Sequence, residues 1–173
     1  MTIFECSKRY VDNLRAKFKN VNRVDVIEKA VSNVNGTTTF FEVSGTGSGS
    51  LLQLGELAKK SYAMTQAEVF EVETITLDKF FKARTIDILQ IDVQGAEKLV
   101  LEGANLLLKR IKAVFTEISI KQDVYNNSVT FETLTKLLVK ENFQLILLGT
   151  DTNGGGNALF IKMDKIGDTI LKL

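Results

Sequence analysis

The 173-residue sequence has no histidine, no proline and a single cysteine. Without an imidazole a Ser-His-Asp triad is excluded, and any general base must be a carboxylate, a lysine, a tyrosine or the lone thiol. One cysteine excludes an internal disulfide, and there is no Cys/His cluster to hold zinc. The lack of proline, against an average near ~5%, carries no functional reading. No apolar run approaches the ~20 residues that a bilayer-spanning helix needs. Met1-Thr2-Ile3-Phe4-Glu5 has no basic leader and does not read as a signal peptide. Charge of either sign is in little excess, 22 basic against 21 acidic residues, so there is no electrostatic footprint for nucleic acid or an anionic membrane. What remains is a single domain over residues 1–173, large enough for a real core and expected to be cytoplasmic.

The most informative segment present is Ile86-Asp87-Ile88-Leu89-Gln90-Ile91-Asp92-Val93-Gln94-Gly95-Ala96-Glu97. A short apolar, β-branched run ends in an acid and is followed by a glycine and a helical pattern. That is how a buried strand delivers a carboxylate to the carboxyl edge of an α/β sheet, where such folds bind ligands. Strands are also expected over Thr2 to Cys6, Val24 to Ile27, Thr37 to Val43, Glu68 to Ile75 and Ala113 to Ile118. Val11, Leu14 and Phe18 mark a helix with Ser7 as N-cap, and Thr76 opens a short helix through Phe81 with Asp78 in its first turn. Ala96, Leu99, Val100, Gly103 and Leu107 share one helix face, and Phe131, Leu134, Leu137 and Leu138 another. Phe143 to Leu148 and Asn157 to Met163 read as a hairpin across Gly154 to Gly156. The alternation of strands and helices predicts an α/β fold with a largely parallel sheet and an antiparallel C-terminal edge.

From about Ile3 to Ile161 the sequence resembles the FkbM family of S-adenosylmethionine-dependent methyltransferases. The segments that carry the resemblance, in order, are Ile3-Phe4-Glu5, then Ala30-Val31-Ser32-Asn33 with Gly36, then Ser48-Gly49-Ser50-Leu51. They continue with Val72-Glu73-Thr74-Ile75-Thr76-Leu77-Asp78, with Asp87 to Glu97 followed by Leu101 and Gly103-Ala104, and with Glu117 and Asn157-Ala158-Leu159-Phe160. The family usually has lysine where Gln90 stands and often glutamate where Gln94 stands, so two charges are removed from the presumed active edge. The resemblance implies a Rossmann-like methyltransferase fold whose first strand and Gly-rich cofactor turn are missing ahead of Met1.

It also implies S-adenosylmethionine as cofactor and a hydroxyl of a sugar or other small metabolite as acceptor. Methyl transfer to a hydroxyl is an in-line displacement that relies on positioning and on a base for the acceptor's proton. Glu5 resembles the acid that accepts the ribose hydroxyls, and Ala30 and Val31 would line the adenine pocket. Asp92, at a strand's carboxyl end, could contact cofactor, orient the acceptor, act as base, or bind a divalent cation with Glu117; no metal site is assigned. The bland alternatives are a helix N-cap for Asp92, strand-end acids for Glu5 and Glu117, and core for Ala30 and Val31. Gly45, Gly47 and Gly49 read as a lip over the acceptor site rather than a displaced cofactor loop. Cys6 reads as a buried filler.

In this architecture the missing strand is central, and its loss leaves a gap of two strand spacings, ~10 Å. Direct closure of the halves, or a homodimer covering the exposed edge, is expected. The alternative to an O-methyltransferase is a truncated, inactive homologue that serves as a binding or assembly module or is a gene remnant.

Overall fold

A computed structural model describes residues 1–44, 47–61, 63–120, 124–152 and 154–165. The order is β1 (Thr2–Glu5), α1 (Lys8–Phe18), β2 (Asp25–Glu28), β3 (Ala30–Val31), β4 (Gly36–Val43), α2 (Glu56–Ser61), β5 (Gln66–Ile75) and α3 (Leu77–Phe81). It continues with β6 (Ile88–Ile91), α4 (Glu97–Glu102), β7 (Ala113–Ser119), α5 (Phe131–Lys140), β8 (Phe143–Thr150) and β9 (Gly155–Lys162). Among the described residues no helix is long and apolar enough to cross a membrane.

The strands form three small sheets rather than one. β1 and β2 pair in parallel; β3, β5 and β4 lie in that order, the first pair parallel and the second antiparallel; and β6-β7-β9-β8 form a four-stranded sheet. In the last, β6 and β7 are parallel, whereas β9 and β8 make the expected antiparallel edge. The expectation of one largely parallel sheet is therefore corrected to a mixed α/β arrangement. Direct closure is corrected as well: among the described residues β1 pairs only with β2 and β6 only with β7. The physical reason is visible at Phe4, which packs edge-on against Phe80 (centroids 4.9 Å apart) and Phe81 (6.3 Å). This aromatic contact joins the β1 pair to the main core without any edge-to-edge hydrogen bonding.

That core lies between β6, β7 and β9 and the helices on one face of the sheet. Leu89 and Ile91 of β6, Val114 and Ile118 of β7 and Phe160 of β9 pack with Val100, Leu101, Leu107, Leu134 and Leu138. Each such fully buried side chain stabilises the fold by roughly 1.5–3 kcal/mol. β6 alternates as its pattern requires, with Ile88 and Gln90 exposed on the other face. Lys162 is buried, and its ammonium donates to the carbonyls of Leu108 (2.7 Å) and Glu141 (2.8 Å) above the Phe143 ring. A buried cation is tolerated only with such acceptors.

Two helix starts behave as their residues suggest. The hydroxyl of Thr76 accepts from the Lys79 N–H and that of Thr130 from the Thr133 N–H. Asp78 does something else: its carboxylate accepts from the N–H groups of Leu106 and Leu107, tying α3 to the turns after α4. Gly103 is required by close approach, because a Cβ there would lie 2.1 Å from the Ser32 carbonyl oxygen. The helix read across Ala96 to Leu107 ends at this contact, and turns replace it. β3, a two-residue strand, is too short to have a sequence signal.

Candidate functional site

The carboxyl ends of β1, β3 and β6 open on one cavity of about 110 Å³, lined by Glu5, Cys6, Ser7, Ala30, Val31, Asp92, Val93 and Gln94 among others. Beside it lies a second cavity of about 450 Å³, lined by Gln94, Gly95, Glu97, Glu117, Ser119, Tyr125, Ser128 and Asp151 among others. Gln94 lines both. Ser48 faces the larger cavity, whereas Gly47, Gly49, Ser50 and Leu51 face the smaller, so the glycine-rich segment stands between them. Gly45 lies outside the described residues.

Glu5 leaves β1 and turns back onto the start of α1. Its Oε1 accepts from the N–H of Cys6 (2.7 Å) and of Ser7 (2.8 Å). Ser7 holds the N-cap position, but its own side chain makes no capping bond. Burial raises the Glu5 carboxyl above its ordinary value, opposed by those two donors. The neighbouring Cys6 thiol is pushed up to about 12, first by burial and then by the charges of Glu5 and Glu42. It packs with Ala30, Phe40 and Val72, and a thiol raised in this way carries little thiolate at neutral pH.

Asp92 follows the last residue of β6 and is exposed. It does not cap α4; Ala96 holds that position, and Gly95 N–H donates instead to Glu97 Oε1 at 3.0 Å. Gln94 and Gly95 both take left-handed backbone conformations, φ +54° and +93°, which for a non-glycine residue costs roughly 1–2 kcal/mol. The turn swings the Gln94 amide back between two carboxylates. Its Nε2 donates to Asp92 Oδ1 at 2.8 Å and to Glu117 Oε2 at 2.7 Å.

Glu117 is delivered by β7. Burial, then the charge and hydrogen bond of Asp92, and then the charge of Glu97 push its carboxyl up to about 8. Its carboxyl thus holds its proton well above the usual carboxylate range. Glu97 is itself buried, and its carboxyl is raised chiefly by that burial. Tyr125 is brought in by antiparallel pairing of residues 53–55 with 124–126, which includes a Leu54–Tyr125 bridge. Its hydroxyl lies 2.8 Å from the Ser48 carbonyl and 3.1 Å from Gln94 Oε1.

The structure thus brings Glu5, Ala30, Val31 and Asp92 around one cavity and places Glu117 in the next, linked to Asp92 through Gln94. Sequence reasoning had singled out those five residues but not Gln94 as a bridge, nor Glu97, nor Tyr125. The Gln94-Gly95 pair before a helix held a weak turn signal; Tyr125 held none, because its place depends on a strand bridge made 71 residues away in the chain.

Two fits can be tested on this geometry. Among the described residues no group of three or more acidic or cysteine side chains is placed to hold a metal ion. For a nucleotide-like cofactor, the smaller cavity of about 110 Å³ is below the ~300–1,000 Å³ of sites that enclose drug-sized ligands. Its lining offers one carboxylate, that of Glu5, and the small apolar side chains of Ala30 and Val31.

Comparison with known proteins adds three findings. The family model described as "Methyltransferase FkbM domain" matches residues 4–145. The chain is similar to the 2-O-methyltransferase NoeI of Sinorhizobium fredii (strain NBRC 101917 / NGR234), 28% identical over 154 residues that cover 83% of this chain and 62% of NoeI. The chain thus spans less than two thirds of that relative's length. No solved structure matches it.

Proposed function

This chain belongs to the FkbM methyltransferase family, and we propose on that premise that it serves S-adenosylmethionine-dependent O-methylation of a small hydroxylated acceptor such as a sugar. The observation that carries the reading is the pair of adjoining cavities, with Gln94 on their common wall, Asp92 lining the smaller and Glu117 the larger. The smaller cavity holds the residues suited to the cofactor: the Glu5 carboxylate for the ribose hydroxyls, and Ala30 and Val31 against the base. S-adenosylmethionine, when bound, supplies the electrophilic methyl group. The larger cavity, about 450 Å³, is of a size for a small polyhydroxylated acceptor. Asp92, from the smaller cavity, orients the acceptor hydroxyl at the boundary between the two, and Glu117, once deprotonated, takes its proton. In this reading the β1 pair and the β6 sheet are the two flanks of a Rossmann-like sheet, and the protein works in the cytoplasm.

A second reading has its own support. The two flanks are not joined, and the smaller cavity is too small for a whole cofactor, which favours a chain that binds or assembles without turnover, including a homodimer that covers the free edges. Isothermal titration of the chain with S-adenosylmethionine separates the two. The O-methyltransferase reading expects saturable heat at micromolar to sub-millimolar ligand, lost in Glu5→Ala. No heat with the native chain at millimolar ligand overturns the claim that these residues suffice for the cofactor.

A further inference from the structure

We propose that Gln94 is a positioning residue whose side-chain amide clamps Asp92 and Glu117 together, with Tyr125 holding the amide in the orientation that the clamp needs. The inference rests on the site reading above, and concerns how its two carboxylates are held.

A carboxamide nitrogen carries two hydrogens that diverge in one plane, and here each is used on a different carboxylate, at 2.8 and 2.7 Å. The two acids stand at neighbouring strand ends, and ionising Glu117 sets two like charges side by side. A neutral double donor holds them at fixed separation while adding no charge. A flipped amide would aim its oxygen at the carboxylate of Asp92, acceptor against acceptor. With Nε2 toward the carboxylates, Gln94 Oε1 lies 3.1 Å from the Tyr125 hydroxyl, whose single proton also has the Ser48 carbonyl as acceptor at 2.8 Å. Gln94 stands in the left-handed backbone region, φ +54°, in the turn between β6 and α4.

The groups that face Glu117 come from several elements. Asp92 and Gln94 follow β6, Glu97 belongs to α4, Tyr125 lies on the 124–126 bridge, and Asp151 lines the cavity from the β8–β9 hairpin. Gln94 is the neutral double donor between the acids of this set. Hydrogen bonds to a carboxylate favour its charged form, so removing the amide must make Glu117 hold its proton more tightly.

The test follows the Glu117 side-chain carboxyl carbon by nuclear magnetic resonance on the full chain, from pH 5 to 10. Gln94→Met keeps the length of the side chain and removes both donors. The expected result is an upward shift of the Glu117 midpoint by at least about half a pH unit, about threefold in proton affinity. Tyr125→Phe keeps the ring and is expected to shift the midpoint the same way by less. An unmoved midpoint in folded Gln94→Met overturns the proposal. If that variant does not fold, an unmoved midpoint in Tyr125→Phe overturns it instead. A general loss of packing would not move this one titration in a fixed direction. The measurement needs no methyl transfer, so a chain that binds no S-adenosylmethionine still reports on the clamp.

Discussion

At the scale of single residues, Glu117 couples chemistry to pH and to stability. Its folded value, about 8, lies above its ordinary 4.5. A raised carboxyl contributes stability that is fully present below 4.5 and is lost as pH rises through about 8. Thermal melts of the native chain should therefore fall between pH 5 and pH 9, and Glu117→Gln should flatten that fall. An unchanged slope in the variant would remove Glu117 as the cause. If the same group is the base for the acceptor, methyl transfer should rise with pH and level off above about 8, and Glu117→Gln should lower kcat by ~10²–10⁴-fold. A rate that is flat from pH 6 to 9 would assign the base elsewhere. The sequence pointed to Asp92 because a strand-ending acid before a glycine has a recognisable pattern, and to Glu117 through the family resemblance and its place near the end of the next strand. It was silent on Glu97 and Tyr125, whose effects arise only when distant segments meet around a cavity.

At the scale of elements, the longer patterns were legible and the short or crowded ones were not. β4, β5, β7, α5 and the β8–β9 hairpin follow alternation, helical periodicity and turn glycines, since each buries one face of a long enough segment. β3 and the early end of α4 escape such reasoning, because a two-residue strand has no period and α4 stops where Gly103 meets the Ser32 carbonyl. That contact can be measured. Gly103→Ala places a methyl against backbone that cannot move aside, and should destabilise the fold by roughly 1–3 kcal/mol in urea unfolding. Gly47→Ala, where a Cβ meets nothing within 4 Å, should change stability by no more than about 0.5 kcal/mol. Equal effects of the two substitutions would mean that the close approach does not limit α4.

At the scale of the whole molecule, the division into three sheets was beyond the reach of local pattern. Alternation assigns a strand and its faces, yet says nothing about which neighbour it will pair with. The β1 pair, whose side chains are only half-buried, should open more easily than the core strands. Hydrogen exchange should therefore release the amides of β1 and β2 well before those of β7 and β9, and simultaneous release would show that one cooperative unit spans both. The edge-on contact of Phe4 with Phe80 and Phe81 has a mechanical consequence. A continuous sheet fixes the spacing of its ligand-binding edge in steps of one strand, as a ratchet does. Among the described residues no strand pairing spans the cleft between Glu5 and Asp92, so its width rests on side-chain packing, that of Phe4 included, and not on a step of backbone hydrogen bonds.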